Sequence, residues 1–292
     1  MTNKTIETNG VKTAEELLSN AGLAWTAEEH ELITSSGATT ENHKAIVRSD
    51  NNKIIGITGK DYGVVQNTVA FSMFDIVAKE KGATFTDVKV FDGGARMVAR
   101  MKLPFKTSDY VRKVGDTVGR GFDLINSFDG STGFVGDCYA EVLACTNGMK
   151  TRKNEGRFIL RHTKNVKDRY KKALEIFAQA DRYFDEMIER ARVLDGKIFK
   201  AQDLKKFVRA MFPADPKTKE FSTRALNQQN IVERLFFEGM GNVGRSAFDA
   251  YNGLTEWLDH KRFDDDSKAD KANLFGTGRK LREKAFAYLE DA

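Results

Sequence analysis

No window of this chain approaches eighteen uncharged apolar residues, so no segment is expected to cross a bilayer as a helix. The opening Met1-Thr-Asn-Lys-Thr-Ile-Glu7 has no apolar core of the kind a secretory leader needs. Together these absences point to the cytoplasm and to no membrane partner. Cysteine is scarce: Cys138 and Cys145 are the two present, seven apart in one expected strand. An odd spacing puts them on opposite faces of a sheet, so they are expected as reduced, unpaired thiols. Four scattered histidines (His30, His43, His162, His260) and no Cys-x-x-Cys give no metal-site spacing, and no cofactor is expected.

What the chain does have is charge in one place. From Lys150 to Lys172 there are ten Lys/Arg against two acids, Glu155 and Asp168, a local excess of eight. The whole chain of 292 residues carries +5, so everything outside that window sums to about −3. The cations form one block, placed where a hairpin hands over to a helix.

That hairpin is the clearest local signal. Phe122 to Phe128 alternates, Asp129-Gly-Ser-Thr132 turns, and a second extended run follows from Phe134 to Thr146. Upstream, residues 1 to about 12 are polar and expected to be disordered. Thr13-Ala-Glu-Glu16 matches a capping box for a short helix, Trp25 is expected to pin this arm to the body, and residues 34–43 read as a loop. Ala45–Arg48 and Ile54–Thr58 pair across Asp50-Asn-Asn52. Asn67 is expected to cap a helix that Gly82 closes, and Thr84–Val90 pairs with Ala95–Leu103 before Pro104 ends the strand. After His162 the period changes. Val166, Tyr170, Ala173, Phe177, Ala180, Phe184, Met187, Ala191 and Leu194 keep 4-3-4-3 spacing, predicting one long helix. Its stripe packs either on the chain's own core or as a coiled-coil seam between copies. Four further helices are expected at 201–212, 223–238, 245–260 and 278–290. The fold class is therefore α+β: an antiparallel β-meander with an inserted helix, then a long helix and a helical C-terminal part. The divisions are 1–41 (arm and short helix), 42–160 (sheet domain) and 161–292 (helical region).

No catalytic constellation stands out, and the chain is not expected to be an enzyme. His162 sits among cations in Arg161-His-Thr-Lys164, as a general base or as a capping or surface histidine. Asp264-Asp-Asp266 has no EF-hand spacing, and its alternative to metal binding is a solvated turn. Gly239-Met-Gly-Asn-Val-Gly244 has the form of a dinucleotide loop but follows a helix instead of a strand. Binding is better supported. Lys150, Arg152, Lys153, Arg157, Arg161, Lys164, Lys167 and Arg169 are placed to neutralise phosphates and release counterions. Phe128 and Phe134 flank the hairpin tip, and Phe158 lies inside the basic tract; each is either a stacking platform for bases or a core residue.

Gly59-Lys-Asp-Tyr-Gly-Val-Val-Gln-Asn67, Asn126-Ser-Phe-Asp-Gly-Ser131, Ala144-Cys-Thr-Asn-Gly148 and Arg161-His-Thr163 carry a resemblance to a known family. The chain resembles the phage/plasmid-like proteins grouped as domain of unknown function 932, from about Ala21 to Leu274-Phe-Gly-Thr-Gly278. That family brings no catalytic residues with it. Its setting implies replication, recombination or defence in a host cytoplasm. By element order alone, the chain is also similar to Rad52-like single-strand annealing proteins. The expected function is a phage-type single-stranded DNA-binding protein, a recombination annealer acting as a homo-oligomeric ring or filament. The alternative is a protein-interaction module that uses the heptad helix.

Overall fold

The structure, a computed structural model, describes residues 3–8, 10–104, 106, 109–112, 117–142, 147–149, 156–163, 175 and 178–292. The chain forms two compact units, each assembled from separate stretches. The first takes residues 1–104, 120–138 and 156–180, and the second 105–119, 139–155 and 181–292. These limits differ from sequential cuts after residues 41 and 160, because strand partners distant in sequence decide where a unit closes. Among the described residues no helix is long and apolar enough to cross a membrane. Strands and helices together make the protein α+β, with antiparallel sheets and a helical C-terminal part.

In the first unit the strands are β1 (Lys4–Glu7), β2 (Ala27–Ile33), β3 (Thr39–Arg48), β4 (Ile54–Gly59), β5 (Thr84–Phe91), β6 (Arg96–Lys102), β7 (Val118–Ser127), β8 (Phe134–Val142) and β10 (Arg157–Leu160). From Tyr139 on, β8 belongs to the second unit, where a short β9 (Asn147–Met149) pairs with its end. The larger sheet runs β1-β5-β6-β7-β8-β10, and β2-β3-β4 form a separate three-stranded sheet. The N-terminal arm, expected to be disordered, is ordered as an edge: Lys4 to Glu7 pair with Val90 to Asp87. The polar alternation of Thr5 and Glu7 suits a strand with one side in solvent, and an edge gives it backbone partners. The expected loop at 34–43 shrinks to a turn, since β3 already begins at Thr39. Helix α1 (Ala14–Asn20) starts where expected, with Thr13 Oγ1 accepting from Glu16 N at 3.2 Å. Helix α2 (Asn67–Lys81) has Gln66, one residue earlier than expected, at its N-cap and ends at Gly82 in the left-handed conformation. Phe74 of α2 meets Phe85 of β5 edge-on at 5.5 Å, anchoring the helix on the sheet. Nearly every residue of β7 is buried, as suits a central strand covered on both faces. Its buried Asp123 is answered by Arg100 opposite it on β6, through bonds of 2.7 and 3.0 Å.

The second unit is helical: α3 (Ala180–Gly196), α4 (Ala201–Met211), α5 (Thr223–Glu238), α6 (Ala247–Glu256), α7 (Asp266–Phe275) and α8 (Thr277–Asp291), with a π-helical turn at Trp257–Lys261 after α6. The long heptad helix is described only over α3, and Val166, Tyr170, Ala173 and Phe177 lie outside the described residues. Along α3 the stripe residues Ala180, Phe184, Met187, Ala191 and Leu194 are all buried. That face packs on the chain's own core and offers no seam to a second copy. Helix α7 was not expected. Asp265 caps it, accepting from Ser267 N at 2.9 Å and Lys268 N at 3.2 Å, so the acidic run is a helix start.

One polar side chain organises the unit's interior. Asp249, fully buried near the start of α6, accepts from the main-chain N–H groups of Val243, Arg245 and Ser246 at 3.2, 2.9 and 3.0 Å. Arg112, from the polar excursion before β7, bonds Asp249 and also reaches Asp195 Oδ1 at 2.8 Å and Ser246 Oγ at 3.2 Å. Burial alone would raise the Asp249 carboxyl; the main-chain donors and the Arg112 guanidinium outweigh it and hold the group below the usual carboxylate range.

Candidate functional site

Three stretches far apart in sequence meet in the first unit. Tyr62, three residues past β4, forms an isolated bridge with Thr163, and Gly63 N donates to the His162 carbonyl at 3.2 Å. The Tyr62 and His162 rings stack with centroids 4.9 Å apart. The Tyr62 hydroxyl donates to the Ser127 carbonyl at 2.6 Å, at the end of β7. Next to Ser127, Asn126 Nδ2 donates to the Val65 carbonyl at 2.9 Å and to Asn67 Oδ1 at 3.1 Å. The segments Gly59–Asn67, Asn126–Ser131 and Arg161–Thr163 are thus one locked cluster, and the residues that look idiosyncratic in the sequence are the ones that hold it. The fourth segment, Ala144–Gly148, lies mostly outside the described residues. Its Gly148 N donates to Asp259 Oδ2 at 3.1 Å in the second unit.

The hairpin tip between β7 and β8 is fixed from two sides. Gly130 takes φ +71°, the left-handed turn position that favours glycine, and Ser131 N donates to Asp129 Oδ1 at 2.9 Å. Gly56 of β4 lies against the tip so closely that a Cβ there would sit 2.1 Å from the Phe128 carbonyl oxygen. Phe128 and Phe134 are therefore not stacking platforms. Each is 0% exposed, Phe128 against Trp25 at 5.6 Å and Phe134 against Phe158 at 5.7 Å. Proximity to a turn suggested exposure, but the absent side chain of Gly56 lets a strand cover the tip. Trp25 does anchor its segment, with Arg48 over its ring at 4.3 Å.

His162 is 7% exposed, and neither ring nitrogen has a hydrogen-bond partner among the described residues. Burial is the main influence on it, holding its pKa down to about 4 despite opposing help from Gly63 and Asp129. Burial likewise keeps the Tyr62 phenol well above its usual range. At neutral pH the pair is uncharged, and its geometry fastens segments together. Among the described residues, no three His, Cys, Asp or Glu side chains are grouped to hold a metal ion.

Of the basic tract, the structure describes Gly156 to Thr163. Lys150, Arg152, Lys153, Lys164, Lys167 and Arg169 lie outside the described residues. Arg157 opens β10 opposite Asp137, and Arg161, just past its end, is exposed. Strand β10 closes one edge of the large sheet, so the described part of the tract follows a sheet edge.

A second cationic feature escaped the sequence reading. In the helical unit, Arg224 of α5, Arg262 after the π turn, and Lys280 and Lys284 of α8 line a cleft of about 350 Å³ with Trp257 and Thr277. Its trace in the sequence is faint: Trp257-Leu-Asp-His-Lys-Arg-Phe263 interleaves aromatics with cations, and Lys280 and Lys284 are one helical turn apart.

A family model described as Domain of unknown function (DUF932) matches residues 54–284, a span that holds all four motif segments. No curated protein and no solved structure matches the chain, so the likeness in element order to single-strand annealing proteins gains no support.

Proposed function

The chain belongs to the DUF932 family, and from that premise we propose that it is a phage- or plasmid-type single-stranded DNA-binding protein, acting in recombination by strand annealing. The observation that carries this reading is the segregation of charge, ten Lys/Arg against two acids between Lys150 and Lys172 in a chain otherwise slightly acidic. The sequence pattern puts the block before an expected helix, where cations oppose the helix dipole and have no stabilising motive of their own. The exposure of Arg161 beside the edge strand β10 is in keeping with a backbone track along that border. With Phe128 and Phe134 in the core, the reading rests on phosphate capture and leaves bases free to pair. A ring or filament of copies would form through a surface other than the stripe of α3. The interaction-module alternative used that same stripe and keeps no observation of its own.

The test is a salt titration of binding to an oligothymidylate. Arg152→Ala, Lys153→Ala and Arg161→Ala are combined, leaving out Arg157 because it faces the buried Asp137 across β8 and β10. Each lost contact flattens the slope of log K against log salt by roughly 0.7, so the triple variant should lose about 2 from the slope. Lys79→Ala with Lys81→Ala, at the end of α2, is the control and should change little. Equal slopes for wild type and triple variant would refute the tract as the contact. Absence of salt-dependent binding by wild type would refute the function.

A further inference from the structure

We propose that the cleft between α5, the π turn and α8 is a phosphate-binding site, taking the phosphate of a nucleotide either free or within a single strand. Four cations line it: Arg224, Arg262, Lys280 and Lys284. Among the described residues no carboxylate lines it, and none of the four makes an ion pair with a described residue. The neighbouring acids are already engaged, Glu283 with Arg279 at 2.8 Å and Asp259 with Arg282. The volume, about 350 Å³, lies at the small end of ligand pockets, roughly 300–1,000 Å³.

Arg262 and Lys284 are held in place by the fold. Arg262 Nη2 donates to Thr277 Oγ1 at 2.9 Å, and its guanidinium lies over the rings of Trp257 and Phe263 at 5.5 and 5.0 Å. Trp257 is braced edge-on by Phe212 at 5.2 Å, and the Lys284 ammonium is tied to the Ala210 carbonyl. Helix α8 begins at Gly276 with no side chain capping its first N–H groups and no acid in its first turn. An anion there would satisfy both the helix start and the cations. Nε and Nη1 of Arg262 are shielded from solvent without a partner. Burial first, then the like charges of Arg224 and Arg282, lower its pKa. Like charges gathered around a cleft without a described carboxylate among them oppose folding, and a bound phosphate relieves it.

The cleft shares no residue with the Lys150–Lys172 tract, so the two readings stand or fall separately. Calorimetric titration of the full chain would use inorganic pyrophosphate, ADP and a short oligothymidylate as probes, on wild type and on Arg224→Ala with Lys280→Ala. Both side chains are exposed, and the variant should fold normally. Loss of two charged donors should weaken pyrophosphate and ADP by about tenfold or more. Arg224→Lys with Lys280→Arg should restore most of the binding. If the oligothymidylate weakens along with them, or is the one probe bound and weakens, the phosphate is that of a strand. If it is unaffected while pyrophosphate and ADP weaken, the ligand is a free nucleotide. The Arg152→Ala, Lys153→Ala, Arg161→Ala variant should bind pyrophosphate and ADP as wild type does. Wild type that binds none of the three probes, or a cleft variant that binds every probe as well as wild type, overturns the proposal.

Discussion

The Tyr62 ring lies on the His162 ring with centroids 4.9 Å apart and planes 28° from parallel, although 100 positions separate them in sequence. The stack stands where loop 59–67 meets the segment after β10, so its ionisation state bears directly on how these segments close. The folded pKa of His162, about 4, lies below the ordinary 6.5. The unfolded chain therefore binds the proton more readily, and stability is complete above the unfolded value and drains away as pH falls from 6.5 toward 4. The loss amounts to up to about 3 kcal/mol from this one group. Urea unfolding across this range should show a steeper acid decline for wild type than for His162→Phe, which keeps a ring on Tyr62. Parallel declines would remove His162 as the cause.

Gly56→Ala tests the closeness of β4 to the hairpin tip. The new methyl would lie 2.1 Å from the Phe128 carbonyl and 2.9 Å from the Asp129 Cα, both main-chain atoms of a tight turn. Backbone cannot rotate aside as a side chain does, so the cost should be about 3 kcal/mol or more. A denaturant midpoint unchanged from wild type would show that the strand and turn separate readily.

Asp249→Ala should be among the most destabilising single changes in the helical unit. It strips three main-chain N–H groups of their acceptor and leaves the Arg112 guanidinium short of one of its two carboxylates. Breaking such a buried pair costs about 3–5 kcal/mol. The comparison is Asp185→Ala on α3, an exposed position where the effect should stay within about 0.5 kcal/mol. Thermal melts of the two variants decide the matter.

Cys138 is 1% exposed, and its thiol is expected to be reduced. A thiol reagent added to the native protein should leave it unmodified and react after denaturation. The intact mass, measured without reductant, should equal that of the fully reduced chain. A deficit of two hydrogens would reveal a disulfide with Cys145.

The parts of the fold visible in the sequence were those with a local cause. Asp129-Gly130 announced its hairpin through glycine's freedom at positive φ, Gly82 closed α2 for the same reason, and the spacing from Ala180 to Leu194 gave α3 its buried face. Strand β1 was illegible because its partner, Thr84–Phe91, lies some 80 residues away and supplies the backbone bonds that order it. Phe128 and Phe134 were ambiguous for a related reason. Whether a turn's flanking aromatics are covered depends on Gly56, and nothing near Asp129 in sequence records that strand. The cleft was hidden because its cations come from α5, the π turn and α8, and converge only when those helices pack.

Neither compact unit is a continuous piece of chain; the polypeptide passes from one to the other five times between Pro104 and Asp181. During synthesis the first unit therefore cannot be completed until residues 156–180 have left the ribosome, by which time two stretches of the second have already emerged. A gene cut at any single point within that span yields two fragments, neither of which holds a whole core. Each unit thus draws on residues from both sides of any such cut.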